Sequence, residues 1–400
     1  MLTLCNSNPL SLLQTTFPSK NTITTPNNKF YTLKMAADFD RATELKQFDQ
    51  TKAGVKGLLD AGINQIPRIF IHPPETLSDL KPTSKSPSSS PPVLVPTIDL
   101  AALHSPDNRS SIVDHIRDAA STFGFFQIIN HGVPQKVLDD ILDSIRAFHE
   151  LPAEAKSSYY RRDVETGVSY LSNIDLFKAK AASWRDTLQI GLGPMAAASE
   201  NIPAICRKAV AEWAKETERL GYLLEELLCE GLGLRSERLK EATYGEGRMM
   251  VGHYYPYCPQ PDLTVGIKSH TDPGVLTVLL QDHIGGLQIR HGGGWVDVEP
   301  VPGALVINIG DLLQFWLQIA SNDVYKSVEH RVLANGKPEA RVSVAVFYNP
   351  RIRDNLYGPF PELISQDTPA VYQQFTYADY ITRFFNKELD GKSLPNHYRV

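Results

Sequence analysis

The first part of the chain is dominated by apolar residues that recur every three to four positions. This spacing places them on one face of a helix and predicts amphipathic helices. The predicted helices cover residues 38–60, 110–123, 134–150 and 203–234, and a further one is predicted near the C-terminus at 370–388.

After residue 247 the pattern changes to short apolar segments separated by Gly and Pro. Such segments are typical of β-strands joined by turns. The predicted strands are 249–255, 275–281, 287–290, 295–298, 305–309, 327–333 and 342–348, with two earlier ones at 93–100 and 125–129. Many short strands favour a sandwich or barrel over a parallel α/β sheet. Helices followed by strands predict an α+β fold with a β core.

Composition divides the chain into segments. Residues 1–37 contain no acid and many Ser, Thr and Asn, which predicts a disordered leader, with a plastid transit peptide as the alternative and Met35 as an alternative start. Residues 38–92 hold the first helix and a Ser/Pro-rich linker at 82–92. A mainly helical region at 93–245, the β core at 246–350 and a C-terminal segment with a closing helix at 351–400 complete the chain.

The charge balance and cysteine pattern narrow the class of function. A net charge of −5 over 400 residues gives no electrostatic case for binding nucleic acid or an anionic membrane. No apolar run approaches the roughly 18–20 residues of a membrane span. Four scattered cysteines without metal-site spacing predict free thiols in a reducing compartment. We therefore expect a cytoplasmic protein, or a plastid protein if the leader is a transit peptide.

Three residues have the pattern of a metal site. His270 and Asp272 lie two residues apart in an apolar, β-branched stretch, and His330 lies in a second stretch of that kind. Side chains at i and i+2 of a strand point to one face, so the imidazole and the carboxylate can converge. Two histidines and one carboxylate with open coordination positions are the arrangement of non-haem Fe(II) oxygenases. The sequence therefore predicts an Fe(II) site at His270, Asp272 and His330.

Longer motifs surround these residues. They include His253-Tyr-Tyr-Pro-Tyr-Cys-Pro-Gln-Pro, His270-Thr-Asp-Pro-Gly, Tyr325-Lys-Ser-Val-Glu-His-Arg-Val and, earlier, Gly124-Phe-Phe-Gln-Ile-Ile-Asn-His-Gly-Val-Pro. With these motifs, the chain from about residue 55 to its end resembles the plant Fe(II)/2-oxoglutarate-dependent dioxygenases. The resemblance implies that 93–245 is the N-terminal dioxygenase region and that 246–350 is a jelly roll (double-stranded β-helix).

The resemblance also implies how the co-substrate 2-oxoglutarate (2OG) is bound. Arg341 and Ser343 lie two apart and correspond to the pair that holds its distal carboxylate, and an Arg can bind a carboxylate through two parallel hydrogen bonds. Tyr255 corresponds to a further hydrogen-bond partner, while residue 253 is His where many relatives have Asn. Continuing the Arg341 face predicts that Phe347 and Asn349 point toward the organic substrate. Fe(II), 2OG, O₂ and ascorbate as reductant are expected to act on a small molecule, in a monomeric enzyme.

One departure from the family pattern concerns residues 315–318, which make the segment before His330 about four residues longer than in relatives. Four residues are close to one helical turn, so a helix there would absorb them. Without such a helix, His330 would be displaced.

Residues 51–62 and 66–71 resemble the branch called aminocyclopropanecarboxylate oxidase homologues, which includes hydroxylases of indole and steroidal alkaloids such as deacetoxyvindoline 4-hydroxylase. The predicted function is hydroxylation of a plant specialised metabolite with release of succinate and CO₂. One alternative is an aminocyclopropanecarboxylate oxidase, which forms ethylene without 2OG; the extended N-terminus argues against it. The other is an inactive jelly-roll binding protein, which the complete triad and the Arg-x-Ser pair disfavour.

Overall fold

The computed structural model describes residues 40–80, 93–163, 166–314, 325–358, 360–367, 369–370, 372–386 and 395–398. Three predicted features lie outside these residues: the leader at 1–37, the Ser/Pro-rich linker at 82–92 and the extra segment at 315–318. Residues 311–314 are helical, and His330 lies in the described part beyond the gap.

The helices follow the apolar periodicity of the sequence. Those with defined bounds are α1 (Arg41–Gln50), α2 (Gly54–Asp60), α3 (Pro74–Leu80), α4 (Pro106–Thr122), α5 (Gln135–Glu150), α6 (Ala153–Ser157), α7 (Arg207–Gly231), α8 (Arg238–Glu241) and α9 (Tyr377–Asn386). Helices α4, α5 and α7 confirm three predicted helices to within about four residues, and α9 confirms the predicted C-terminal helix but begins seven residues later than predicted. None of the described helices is both long enough and apolar enough to cross a membrane.

The strands form two facing sheets and one small pair. They are β1 (Thr97–Asp99), β2 (Phe125–Ile129), β3 (Val168–Leu171), β4 (Asp186–Gly193), β5 (Gly247–Tyr255), β6 (Val265–His270), β7 (Leu276–Gln281), β8 (Leu287–His291), β9 (Gly294–Asp297), β10 (Leu305–Ile309), β11 (His330–Leu333), β12 (Arg341–Asn349), β13 (Leu356–Tyr357) and β14 (Phe375–Thr376). Each predicted strand overlaps an observed one. The list of predicted strands has no counterpart of β3, β4, β6, β13 or β14, and the strand predicted at 327–333 begins only at His330.

The two sheets form the predicted jelly-roll core. In the described residues, the large sheet has the order β1-β2-β10-β7-β12-β5-β4-β3, and the small sheet has the order β6-β11-β8-β9. All neighbours are antiparallel except β1 and β2. The mainly helical region therefore supplies β1 to β4, half of the large sheet. The mixture of helices and antiparallel sheets confirms the α+β class.

Alternation along the strands gives the large sheet two different faces. On the outer face, residues such as Val344 and Val346 pack with Ile145 of α5 and Leu224 of α7 in the main hydrophobic core. On the inner face, side chains such as Tyr255 pack with apolar residues of the small sheet in a separate cluster. Because alternate residues of one strand point to opposite faces, the inner face is free to carry the polar groups of a site.

The single helix predicted at 38–60 is wrong, because the chain breaks between α1 and α2. Lys52 and Gly54 have φ angles of 54° and 72°, which an α-helix cannot contain. The first amides of α2, on Val55 and Lys56, donate to the two carboxylate oxygens of Asp186, each at 2.8 Å. A Cβ on Gly54 would lie 2.5 Å from that carboxylate, so the close approach also requires glycine. At this break, the hydrogen bonds to Asp186 attach the start of α2 to β4.

Candidate metal centre and co-substrate pocket

His270 and His330 face each other across two strands of the small sheet. They are paired in the β6–β11 register, and their ring centres lie 4.2 Å apart. The Nε2 atoms of His270 and His330 lie 3.6 and 3.5 Å from Oδ1 of Asp272. The register between these strands shifts beside His330, and such irregularities are common next to active sites because they redirect side chains.

Asp272 reaches this point from the turn that follows β6, not from the strand itself. The expectation that His270 and Asp272 converge as strand neighbours is therefore wrong in its cause, because β6 ends at His270. The carboxylate is instead held from the large sheet: its Oδ2 accepts hydrogen bonds from Oγ1 of Thr277 at 2.7 Å and from Nδ2 of Asn308 at 2.6 Å. These two residues are paired neighbours on β7 and β10. Oδ1 is left facing the imidazoles.

The protonation states in the site suit a cation. Nδ1 of His270 lies 2.9 Å from the carbonyl of Lys268, and Nδ1 of His330 lies 3.2 Å from that of Val328. Since a carbonyl only accepts, each Nδ1 carries the proton and each Nε2 keeps a lone pair. Burial lowers the pKa of His330 to about 4, so this imidazole is neutral at pH 7. Burial alone would raise the pKa of Asp272, but the neighbouring imidazoles and Thr277 outweigh it and keep the carboxylate ionised.

The donor set fits a divalent transition metal. Among the residues that the structure describes, only this triad brings three metal-binding side chains within 4.8 Å of one another. Two imidazole nitrogens and one carboxylate oxygen would occupy one side of an octahedral ion and leave the other positions for substrate and O₂. The polar atoms of the three side chains that would not bind the ion, which are both Nδ1 atoms and Oδ2 of Asp272, each have a hydrogen-bond partner. Ligands of metal sites are commonly fixed by surrounding groups in this way.

A buried carboxylate, Asp311, braces the turn that carries Asp272. Its backbone amide donates to the Asp272 carbonyl at 2.7 Å, and its side chain accepts from Thr271 at 3.0 Å, Ser327 at 2.7 Å and Tyr380 at 2.8 Å. Burial raises the pKa of Asp311 to about 6, although these hydrogen bonds favour its ionised form. Asp311 thereby joins the turn, the chain leading into β11, and helix α9.

Arg341 is buried on the inner face with a donor still unused. It is 1 % exposed and begins β12. Its Nη1 donates to Oγ of Ser343 at 3.1 Å and its Nη2 donates to Oε1 of Gln281 at 3.0 Å, while its Nε has no partner. No carboxylate from the described residues pairs with it. A buried guanidinium held only by neutral groups is a suitable receptor for an incoming carboxylate.

Tyr255 lies beside Arg341 in the β5–β12 register, with the guanidinium carbon 4.8 Å from its ring centre. Burial raises the pKa of Tyr255, so its hydroxyl is a hydrogen-bond donor at neutral pH. His253 lies on the same face and its Nδ1 is 3.1 Å from Oγ1 of Thr187. The structure thus groups Arg341, Ser343 and Tyr255; their role in binding 2OG stays a prediction.

Phe347 and Asn349 continue this face at the far end of β12. Both are half-buried, and Phe347 is paired with Met249 of β5 and Thr277 of β7. Oδ1 of Asn349 accepts a hydrogen bond from the hydroxyl of Tyr377 at 2.8 Å. Contact of the two residues with an organic substrate stays a prediction.

Residues that the sequence analysis missed hold the predicted ones in position. Asn308 interrupts the apolar run of β10, and a polar residue in a buried strand is a signal that could have identified it. Gln281 and Thr277 carry no comparable signal, because each lies where an exposed polar residue would be ordinary.

Two family models match two separate parts of the chain. The model described as the 2OG-Fe(II) oxygenase superfamily matches residues 246–350. The model described as the non-haem dioxygenase in morphine synthesis N-terminal matches residues 95–207.

The chain is also similar to individual proteins of known sequence. It is 48 % identical over 364 residues to 1-aminocyclopropane-1-carboxylate oxidase homolog 1 of Arabidopsis thaliana, covering 90 % of this chain and 97 % of that protein. It is 48 % identical over 366 residues to homolog 6 of the same plant, covering 91 % and 99 %.

Solved structures share the fold. A crystal structure of JOX2 in complex with 2OG, Fe and JA has a TM-score of 0.74 and 32 % identity, covering 87 % of this chain and 97 % of that one. The rice dioxygenase for auxin oxidation has a TM-score of 0.65 and 25 % identity, covering 76 % and 100 %. Together with the geometry of the metal centre, these similarities identify the chain as a dioxygenase that uses iron and 2OG, a member of the 2OG-Fe(II) oxygenase superfamily.

Proposed function

We propose that this enzyme hydroxylates a small organic molecule of plant specialised metabolism while converting 2OG to succinate and CO₂. The observation that carries the proposal is the pocket of Arg341, whose guanidinium is buried, oriented by Ser343 and Gln281, and without a carboxylate partner among the described residues. Such a pocket suits the distal carboxylate of 2OG. A cytoplasmic location, a monomeric state and ascorbate as reductant belong to the same proposal.

The Arg341 pocket also favours this function over ethylene formation. An aminocyclopropanecarboxylate oxidase uses no 2OG, and its substrate has a single carboxylate and no distal one for this guanidinium to bind. Removing an arginine from water without a compensating partner is costly, so a pocket of this kind favours a bound carboxylate. The geometry of His270, Asp272 and His330 likewise argues against an inactive binding protein.

The inner face beyond Arg341 indicates a largely apolar substrate. The cross-strand neighbours Phe347 and Met249 are half-buried, and Ala345 is paired with both Val251 and Leu279. Ligand sites are mostly lined by such side chains, with a few polar groups that fix orientation. The similar structures are those of JOX2 in complex with 2OG, Fe and JA and of a rice dioxygenase for auxin oxidation. Alkaloids are the substrate class that we would test first.

The chain's own residues would bind the iron, orient 2OG and exclude water from the reaction. Bound iron, together with 2OG, supplies the activation of O₂ that hydroxylation needs. His270, Asp272 and His330 would hold the ion through Nε2, Oδ1 and Nε2, and Arg341 would orient 2OG by its far end. The apolar wall at Phe347 would keep water away from the reacting C–H bond.

The test is a substrate screen with the purified full chain. Alkaloid, terpenoid and phenolic fractions are incubated with Fe(II), 2OG and ascorbate, and both succinate and products that have gained one oxygen atom are measured. We expect such products only when 2OG is present, and none with the Asp272→Ala variant. Ethylene formed from aminocyclopropanecarboxylate without 2OG would refute the proposal.

A further inference from the structure

A second buried arginine, Arg185, reaches the inner face from the residue before β4. It is 8 % exposed, and its Nη1 donates to the carbonyl oxygen of Gly266 on β6 at 3.3 Å. Strand β4 belongs to the large sheet and β6 to the small one. The side chain therefore crosses the space between the two sheets, in which the metal centre also lies.

Arg185 and Arg341 meet around one tyrosine. A Cβ placed on Gly266 would lie 2.9 Å from Cδ1 of Tyr255, so the backbone that receives Arg185 lies directly against this ring. The guanidinium carbon of Arg341 is 4.8 Å from the centre of the same ring. Arg185, from the residue before β4, and Arg341 of β12 thus both lie near Tyr255.

The charge of Arg185 is not neutralised by a direct partner. Its Nε has no hydrogen bond, and no carboxylate of the described residues lies within ion-pair distance of it. The acids that act on it from farther away are engaged elsewhere: Asp175 pairs with Lys268 at 3.4 Å, and Asp186 binds the α2 amides. A buried cation without a counter-ion is costly, so this arrangement favours an anionic ligand.

His253 provides independent support for a common pocket. Burial first, and then the charges of Arg185 and Arg341, hold the pKa of His253 well below its usual range. Both guanidinium groups therefore act on the same imidazole, in addition to its burial. In this pocket the positive charge lies on the arginines, and His253 contributes polarity only.

We propose that Arg185 is a second cation of the 2OG pocket and stabilises the distal carboxylate that Arg341 and Ser343 bind. Its role is to select 2-oxo dicarboxylic acids over 2-oxo acids with an uncharged tail. The proposal rests on the assignment of Arg341 as the anchor of that carboxylate, and it adds a residue outside the Arg-x-Ser pair.

The experiment measures binding of two probes to the Mn(II)-loaded full chain by calorimetry. The probes are 2OG and 2-oxopentanoate, which has the same carbon chain without the distal carboxylate. We expect Arg185→Gln to weaken 2OG binding about tenfold, because the charge that is lost acts through space and not through a direct hydrogen bond. Binding of 2-oxopentanoate should stay within twofold. Arg185→Lys keeps the charge and should lose no more than about threefold for 2OG.

Arg248→Gln is the matched control. Arg248 is a largely buried arginine of β5 that is paired with Glu218 on the outer face, so its loss should change neither probe. Equal weakening of both probes in Arg185→Gln would show a structural role and overturn the proposal, as would unchanged binding of 2OG. If Arg185→Gln does not fold, a tenfold loss of 2OG binding in Arg185→Lys overturns it. Unchanged 2OG binding in Arg341→Lys would overturn the assignment of Arg341 as the anchor as well. If 2OG binding weakens in Arg341→Lys but not in the Arg185 variants, the anchor assignment stands and only the role of Arg185 is refuted.

Discussion

Asn308 holds the Asp272 carboxylate from a different sheet, so replacing it tests how far the protein itself positions the metal ligand. Asn308→Ala removes the 2.6 Å hydrogen bond to Oδ2 and leaves that of Thr277. A hydrogen bond to a charged acceptor contributes about 1.5–3 kcal/mol. If that energy orients the carboxylate, metal affinity should fall roughly ten- to a hundredfold.

The fold should tolerate this change. Asn308 is 3 % exposed, but its Oδ1 has no hydrogen-bond partner, so Asn308→Ala removes an unsatisfied buried carbonyl together with the useful bond. We therefore expect a large effect on metal binding and a small one on the melting temperature.

The assay is calorimetric titration of the metal-free chain with Mn(II), with thermal unfolding measured in parallel. Asn173→Ala is the matched control, because Asn173 is a buried asparagine whose side chain, among the described residues, bonds only the backbone of Ser183. It should lower the melting temperature and leave the Mn(II) affinity unchanged. A Mn(II) affinity within twofold of wild type in Asn308→Ala would refute the reasoning.

A double-mutant cycle with Thr277→Val strengthens the test. Both side chains act on the same oxygen atom of Asp272, so each can partly replace the other. The loss in the double variant should exceed the sum of the two single losses. Strictly additive losses would mean that the two bonds do not share the task of orienting Asp272.

Three further outcomes are expected. Arg341→Lys keeps the charge but loses the two-pronged geometry, so the KM for 2OG in succinate release should rise ten- to a hundredfold while that of the organic substrate changes little; an unchanged KM for 2OG would remove Arg341 as the anchor. Alanine at His270, Asp272 or His330 should abolish turnover and leave the circular dichroism spectrum intact, and full activity of any one variant would contradict its assignment. Burial raises the pKa of Glu225 from 4.5 to about 8, so the folded chain keeps a proton that the unfolded chain releases, and stability falls as the pH rises from about 4.5 to 8. Glu225→Gln should therefore raise the melting temperature by several degrees at pH 8 and hardly at all at pH 4, whereas an equal shift at both pH values would show that ionisation is not the cause.

The sequence predicts best what a single segment determines. Helices α5 and α7 follow from the apolar periodicity of their own residues, and the ends of β10 agree with its apolar run. The break at Lys52 could not be predicted this way, because it depends on Asp186, which lies more than 130 residues away and binds the start of α2. The periodicity of residues 38–60 is the same whether or not that contact forms.

In the candidate metal centre, the histidines are oriented by their own segments, whereas the carboxylate is oriented by residues from other strands. Each histidine is oriented by the carbonyl two residues earlier in its own segment, Lys268 for His270 and Val328 for His330. This local bond fixes which nitrogen faces the site, so the segment around each histidine already determines most of the orientation of its imidazole.

Asp272 has no such local support. Its orientation depends on Thr277 and Asn308, which become neighbours only because β7 and β10 are adjacent in the large sheet. The carboxylate can therefore take its position only after the two sheets have formed and face each other. It follows that the two imidazoles could be oriented in a partly folded chain, whereas Asp272, the third predicted ligand, is positioned for tight metal binding only in the complete jelly roll.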